Sequence, residues 1–266
     1  MELFKIFGTI ALKGKDQFNG DLDESSSKAE KLSSKIGKGL GAAAKIGAAA
    51  IGAAATAVGA LTKKSLEEYA EYEQLVGGVE TLFKDSADVV MQYANNAYQT
   101  AGLSANDYME TVTSFSASLL QSLGGDTEAA AKQANLAVTD MADNANKMGT
   151  AMGDIQNAYQ GFAKQNYTML DNLKLGYGGT KEEMQRLIDD ANALNAAQGN
   201  LTNYSIDSYS NIVSAIHDVQ TEMGITGTTA KEASTTIQGS LSAMKSAWTN
   251  LLTGIGDDSQ DLDKLI

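Results

Sequence analysis

Residues 104–125, SANDYMETVTSFSASLLQSLGG, contain a helix with both of its ends written in. Tyr108, Val112, Phe115 and Leu119 recur at spacings of four, three and four, the repeat that lines up one face of an α-helix. Ser104 and Asp107 are placed to cap its start, because a short side-chain oxygen can accept the free backbone N–H groups there. Gly124 and Gly125 end it. The same signals recur in both directions. Ser65-Leu66-Glu67-Glu68 and Thr180-Lys181-Glu182-Glu183 have the Ser/Thr-x-x-Glu form of a capping box and predict helix starts, and Thr229 with Glu232 offers a third cap. Val76, Val79 and Phe83 continue the apolar face behind the first box; Met184, Leu187, Ile188, Ala191 and Leu194 follow the second. Between them, Ala134, Val138, Met141, Ala145 and Met148 form one stripe, and Met152, Ile155, Tyr159 and Phe162 a shorter one. Ile237, Leu241, Met244, Trp248, Leu251 and Ile255, spaced four, three, four, three and four, form a heptad-like seam able to bury the only Trp. Core packing is the expectation for every Met and aromatic in these stripes.

Composition points the same way. The 266 residues include 26 Gly and no Pro, a balance that long helical chains tolerate and loop-rich enzymes rarely show. With 43% hydrophobic residues the chain can fill a core. The expected fold is mainly α: a multi-helix bundle with a short N-terminal strand and an Ala/Gly-rich hydrophobic helix. A net charge of −13 argues against nucleic acid as the main ligand. That charge is unevenly spread. Residues 1–64 hold 10 lysines against 6 acids, a balance of +4, whereas residues 65–266 hold 10 basic residues against 27 acids, a balance of −17. Two regions follow, a basic arm over residues 1–64 and an acidic helical body over residues 65–266.

Within the arm, Leu3 to Leu12 (LFKIFGTIAL) reads as a short strand, and Asp21 to Lys38, with Leu22, Ala29, Leu32 and Ile36 near helical spacing, as an amphipathic helix. Gly39 to Leu61, GLGAAAKIGAAAIGAAATAVGAL, carries one charge, Lys45. Its uncharged stretch from Ile46 is shorter than the roughly 20 residues that span a hydrocarbon core. Lysines at 35, 38, 45, 63 and 64 would suit anionic headgroups, and Leu40, Ile46, Ile51, Val58 and Leu61 are the candidate membrane-contacting side chains. The plainer reading is a small-residue helix that packs tightly against copies of itself or inside a narrow tube. A secretory signal is excluded, because the apolar stretch starts too late.

Chemical constellations are sparse. Lys174 to Lys181, KLGYGGTK, resembles a phosphate loop, but the Walker spacing fails and no β-rich strand precedes it, so it reads as a turn into the Thr180 helix. Asp189-Asp190 and Asp257-Asp258 are adjacent pairs that diverge on a helix and read as solvated charge. His217, the only His, has no partner placed by local spacing and reads as structural or exposed; there is no Cys. No catalytic residue, cofactor site or metal site is expected.

Longer runs carry more. Tyr72 to Phe83 (YEQLVGGVETLF), Leu103 to Asp126 (LSANDYMETVTSFSASLLQSLGGD), Asp140 to Thr150 (DMADNANKMGT), Ile155 to Arg186 (IQNAYQGFAKQNYTMLDNLKLGYGGTKEEMQR), Ala215 to Thr226 (AIHDVQTEMGIT) and Ala243 to Gly254 (AMKSAWTNLLTG) resemble the core region of tail tape measure proteins from long-tailed phages and prophages of Gram-positive bacteria. The resemblance covers most of residues 70–255. It implies a structural role: threading the tail tube lumen, helping to set tail length, and leaving the tail as DNA is delivered. The implied partners are the tail tube protein, tail assembly chaperones and tail tip protein, with self-association and contact with the host membrane at ejection. The implied locations are the virion tail and, during assembly, the host cytoplasm. On this reading Leu40, Ile46, Ile51, Val58 and Leu61 contact tube or membrane. Members of the family are usually much longer, and Asp261 to Ile266 stops in mid-pattern without a helix stop signal, so an N-terminal fragment is expected. The alternative from a different class is a membrane-active, pore-forming protein working through residues 39–61.

Overall fold

The computed structural model of the chain describes residues 49–235 and 237–257, with side chains from residue 63 onward except 234–238, 240 and 241. These residues form α1 (Ala49–Phe83), a 3-10 turn (Lys84–Ser86), α2 (Ala87–Thr100), α3 (Ala105–Ser122), α4 (Thr127–Met148), α5 (Met152–Phe162), a second 3-10 segment (Leu170–Leu173), α6 (Lys181–Ala197), α7 (Tyr209–Glu222), α8 (Thr228–Thr235) and α9 (Ile237–Gly256). The fold is mainly α, with no strand among the described residues. The expected strand at Leu3–Leu12, the expected helix over Asp21–Lys38 and the tail from Asp258 lie outside the described residues. By their own contacts the described residues form two compact units, residues 71–250 and residues 49–70 with 251–257.

The larger unit is organised around α4, which packs against α2, α3, α5, α7 and α8. Its alanines explain how one helix serves so many neighbours. Ala130, Ala131, Ala134 and Ala137 are all fully buried, and a methyl group lets adjacent backbones approach on several sides. Val138 and Met141 are buried as the stripe predicted, while Ala145 and Met148 are half-buried at the end of the helix. Tyr108, Val112, Phe115 and Leu119 face the core from α3, and Ile155, Tyr159 and Phe162 from α5, with Met152 half-buried. Met184, Leu187, Ile188 and Ala191 do the same from α6.

Two of the helix starts follow their local signals. Ser104 Oγ accepts the Asp107 backbone N–H at 3.1 Å and donates to the Asp107 carboxylate at 2.6 Å. At the other end of α3, Gly124 and Gly125 take φ of 66° and 85°, a left-handed stop. Thr180 Oγ1 accepts the Glu183 N–H at 3.2 Å, but the reciprocal arm of the box slips by two residues, and the Glu183 carboxylate accepts the N–H of Gly178 at 3.0 Å.

Three expectations are corrected. Ser65 does not start a helix. It sits inside α1, fully buried, with its hydroxyl unpartnered, because the Ala-rich stretch before it is itself strongly helix-forming and leaves no free N–H groups to cap. In the smaller unit Ser65 is instead a crossing point, where a Cβ on Gly256 would lie 2.4 Å from the Ser65 carbonyl oxygen. Thr229 does not cap α8, which begins one residue earlier; the cap is the carboxylate of Asp143 on α4. Third, the middle of the α9 seam, Met244 and Trp248, is not core. Met244 is 62% exposed and Trp248 48%, while Leu251 and Ile255 are half-buried and Leu252 is fully buried. The reason lies at the corner between α2 and α3. The Ala105 N–H, one of the unsatisfied donors of a helix start, binds Asn250 Oδ1 at 2.8 Å, and the Gly102 carbonyl accepts from Ser246 Oγ at 2.7 Å. Those polar bonds turn the opposite face of α9 inward.

Candidate functional site: an aspartate and a histidine on facing helices

Of the segment singled out in the arm, Leu40 and Ile46 lie outside the described residues, and Ile51, Val58 and Leu61 fall within α1. No helix among the described residues is long and apolar enough to cross a membrane.

The most unusual chemistry lies in the larger unit. Asp140, only 1% exposed on α4, accepts from His217 Nδ1 on α7 at 2.9 and 3.0 Å. The two residues are 77 positions apart, so no local spacing reveals the pair. Sequence reasoning placed His217 as structural or exposed; its side chain is 27% exposed and anchored. Burial pushes the Asp140 carboxyl up to about 6 from an ordinary 3.8, although the His217 bond and charge pull it back; Asp143 and Asp218 add to the rise. The Asp140 hydrogen bond raises His217 above its usual value, with its burial opposing. The buried hydroxyl of Tyr159 lies in the Asp140 field and has no partner.

An aspartate holding a histidine is two parts of a nucleophile-activating triad. The third part is missing among the described residues, where no hydroxyl hydrogen-bonds the Nε2 of His217. Nor does any group of three or more His, Cys, Asp or Glu gather as metal ligands among those residues. The pair acts as a polar clasp between α4 and α7. Both groups bind protons more tightly in the folded state, so folding takes up protons as pH falls. The stability they contribute is fully present at low pH and is lost as pH rises from about 4, through the Asp140 value near 6 and then through the raised His217 value. Chemical denaturation at pH 5 and pH 8 is expected to show the protein less stable at pH 8. Asp140→Asn is expected to flatten that difference, and a variant with the full wild-type pH dependence would assign it elsewhere.

The phosphate-loop lookalike is occupied by the chain's own groups. Gly178 N–H, the donor an anion would need, is bound to Glu183. Arg186 donates to the Gly176 carbonyl at 2.7 Å and to Glu183, and lies 4.3 Å over the Tyr177 ring. Arg186, then the Gly178 N–H, holds Glu183 below the usual carboxylate range. Tyr177 donates to Asp190 at 2.8 Å, and burial, helped by that carboxylate, pushes its phenol up to about 12. Asp190 therefore has a structural use, while Asp189 accepts from Gln185 on the same exposed face. Lys174 bonds the Met148 carbonyl at the end of α4 at 2.9 Å, and Asn144 donates to the Leu173 carbonyl at 3.0 Å. This is a turn into the Thr180 helix, as its spacing predicted, and the structure adds that it is fastened to α4. The chain matches no protein-family model, no curated protein and no solved structure.

Proposed function

We propose that this chain is a structural, non-enzymatic protein of the phage tail tape measure type, acting in tail assembly, tail length determination and DNA ejection. The observation that carries the reading is the set of long sequence runs, from Tyr72 to Phe83 through Ala243 to Gly254, that resemble the core region of that family. A mainly helical chain is compatible with the role. So is the use of Arg186, Glu183 and Asp190 in holding a turn together. The proposed partners are the tail tube protein, tail assembly chaperones and tail tip protein, in the virion tail and, during assembly, the host cytoplasm. A tagged copy expressed in a host induced for tail production is expected to co-purify with the tube protein and the chaperones. Recovery of the tagged chain without either would overturn the reading. The alternative is a membrane-active, pore-forming protein working through residues 39–61, of which residues 39–48 lie outside the described residues.

A further inference from the structure

Within the larger unit, α3, the end of α5 and the start of α7 enclose a cleft of about 280 Å³. Phe162 and Tyr209, both buried, supply an aromatic floor. Around it stand Ser118 and Gln121 from α3, Gln165 just past α5, and Asp207 just before α7. None of these four side chains has a hydrogen bond or an ion pair among the described residues. In two other clefts an acid is answered by the chain's own amide: Glu232 of α8 accepts from Asn146, and Asp218 of α7 accepts from Asn195. One of the four is also held against its backbone preference. Gln165 has a φ of 58°, in the left-handed region that only glycine enters without steric cost. A side chain retained in that conformation is a recurring mark of functional sites.

Donors and acceptors select the ligand. Each Gln amide offers N–H donors and a carbonyl acceptor, the Ser118 hydroxyl does both, and the Asp207 carboxylate only accepts. An anion would meet Asp207, the single charged side chain lining the cleft. An ammonium or guanidinium carries donors alone and would leave the Gln N–H groups unanswered. Hydroxyls donate and accept, so several on one small ring can answer all four groups together. The C–H faces of such a ring suit an aromatic floor. Volume sets the size: small-molecule sites run from roughly 300 Å³ upward, so this cleft takes one ring and not a chain of them.

We propose that this cleft binds a neutral monosaccharide, whose hydroxyls bond Ser118, Gln121, Gln165 and Asp207 and whose ring lies against Phe162 and Tyr209. The inference stands on the cleft and not on the tape measure reading. Gln121, Gln165 and Asp207 are exposed, so each bond replaces one to water and adds little. The expected Kd is accordingly about millimolar.

Amide NMR of the isotope-labelled full chain tests this directly, because the Gln121 and Gln165 side-chain amides give their own signals. Glucose, galactose, mannose and N-acetylglucosamine are each titrated from about 0.1 to about 50 mM, a range that brackets the expected Kd, with choline and inorganic phosphate as the cationic and anionic probes. The expected result is saturable shifts from at least one sugar, largest at those two side chains and at the backbone of residues 207–209, and none from choline or phosphate. Asp207→Asn is expected to weaken binding at least about threefold. Gln165→Gly, which frees the left-handed position, is expected to keep the urea midpoint at or above the wild-type value while weakening binding at least about fivefold. Absence of a saturable shift from all four sugars would overturn the proposal. So would sugar binding that survives both substitutions unchanged, which would put the site elsewhere. Saturation of the cleft by choline and by none of the sugars would overturn it in favour of a cationic ligand.

Discussion

Asp143→Ala is expected to lower the stability of the fold by about 3 kcal/mol, more than an ordinary surface cap is worth. The Asp143 carboxylate is fully buried on α4 and accepts two backbone N–H groups at the start of α8, from Gly227 at 2.6 Å and Thr229 at 2.8 Å. Its own carbonyl accepts from Thr228 Oγ1 at 3.5 Å. A helix start offers several N–H groups with no partner of their own and a partial positive charge, so an acid there satisfies donors and dipole together. Truncation to Ala removes the acceptor and leaves both donors without it, which costs more than deleting both sides of a bond would. Asp143→Asn keeps one acceptor oxygen without the charge and is expected to lose about 1 kcal/mol. Urea unfolding of the three proteins measures the series, and hydrogen exchange localises it. In Asp143→Ala, protection is expected to fall first at residues 227–231. A truncation within about 0.5 kcal/mol of wild type would mean that α8 does not depend on this carboxylate.

That cap shows where sequence reading stops. Ser104 and Thr180 lie three residues from the N–H groups they accept, so their roles could be read from the chain alone. Asp143 lies 84 residues from Gly227, and only the fold brings them together. The same distance problem hid the Asp140 and His217 pair, each of which looks unremarkable among its own neighbours. Ser65 failed differently. Its local signature was genuine, but a capping box needs an irregular chain before it, and the alanines upstream continue the helix. The α9 seam was visible as a period, and the period did not say which way it faces. Two side chains on the opposite face, Ser246 and Asn250, decided that by meeting unsatisfied backbone groups at the α2–α3 corner. The expectation that every aromatic packs inward weighed hydrophobic area alone and left those donors and acceptors out.

Gly179→Ala is the second large effect expected, again about 3 kcal/mol, and its cause is space, not backbone conformation. A Cβ at this position would sit 2.3 Å from the Thr168 carbonyl oxygen and 2.9 Å from its carbon, so backbone would have to move. That backbone is held from both sides. Thr168 is bound through its N–H and its hydroxyl to Asn166, and the 3-10 segment just after it buries Leu170 and Leu173 completely. On the other strand of the turn, Tyr177 is tied to Asp190 and Gly178 to Glu183, which leaves Gly179 little freedom to retreat. The adjacent glycine supplies the control. A Cβ on Gly178 would lie 3.4 Å from Glu183 Cγ, the middle of a flexible side chain that can shift by a few tenths of an ångström, so Gly178→Ala is expected to cost less than about 1 kcal/mol. Denaturation midpoints of the two variants separate the accounts. A large loss at Gly179 with a small one at Gly178 identifies close backbone approach as the constraint, whereas equal losses would trace it to the flexibility of the whole loop. Phosphate is expected to leave the wild-type midpoint unchanged, since the Gly178 N–H that would bind it already holds the Glu183 carboxylate.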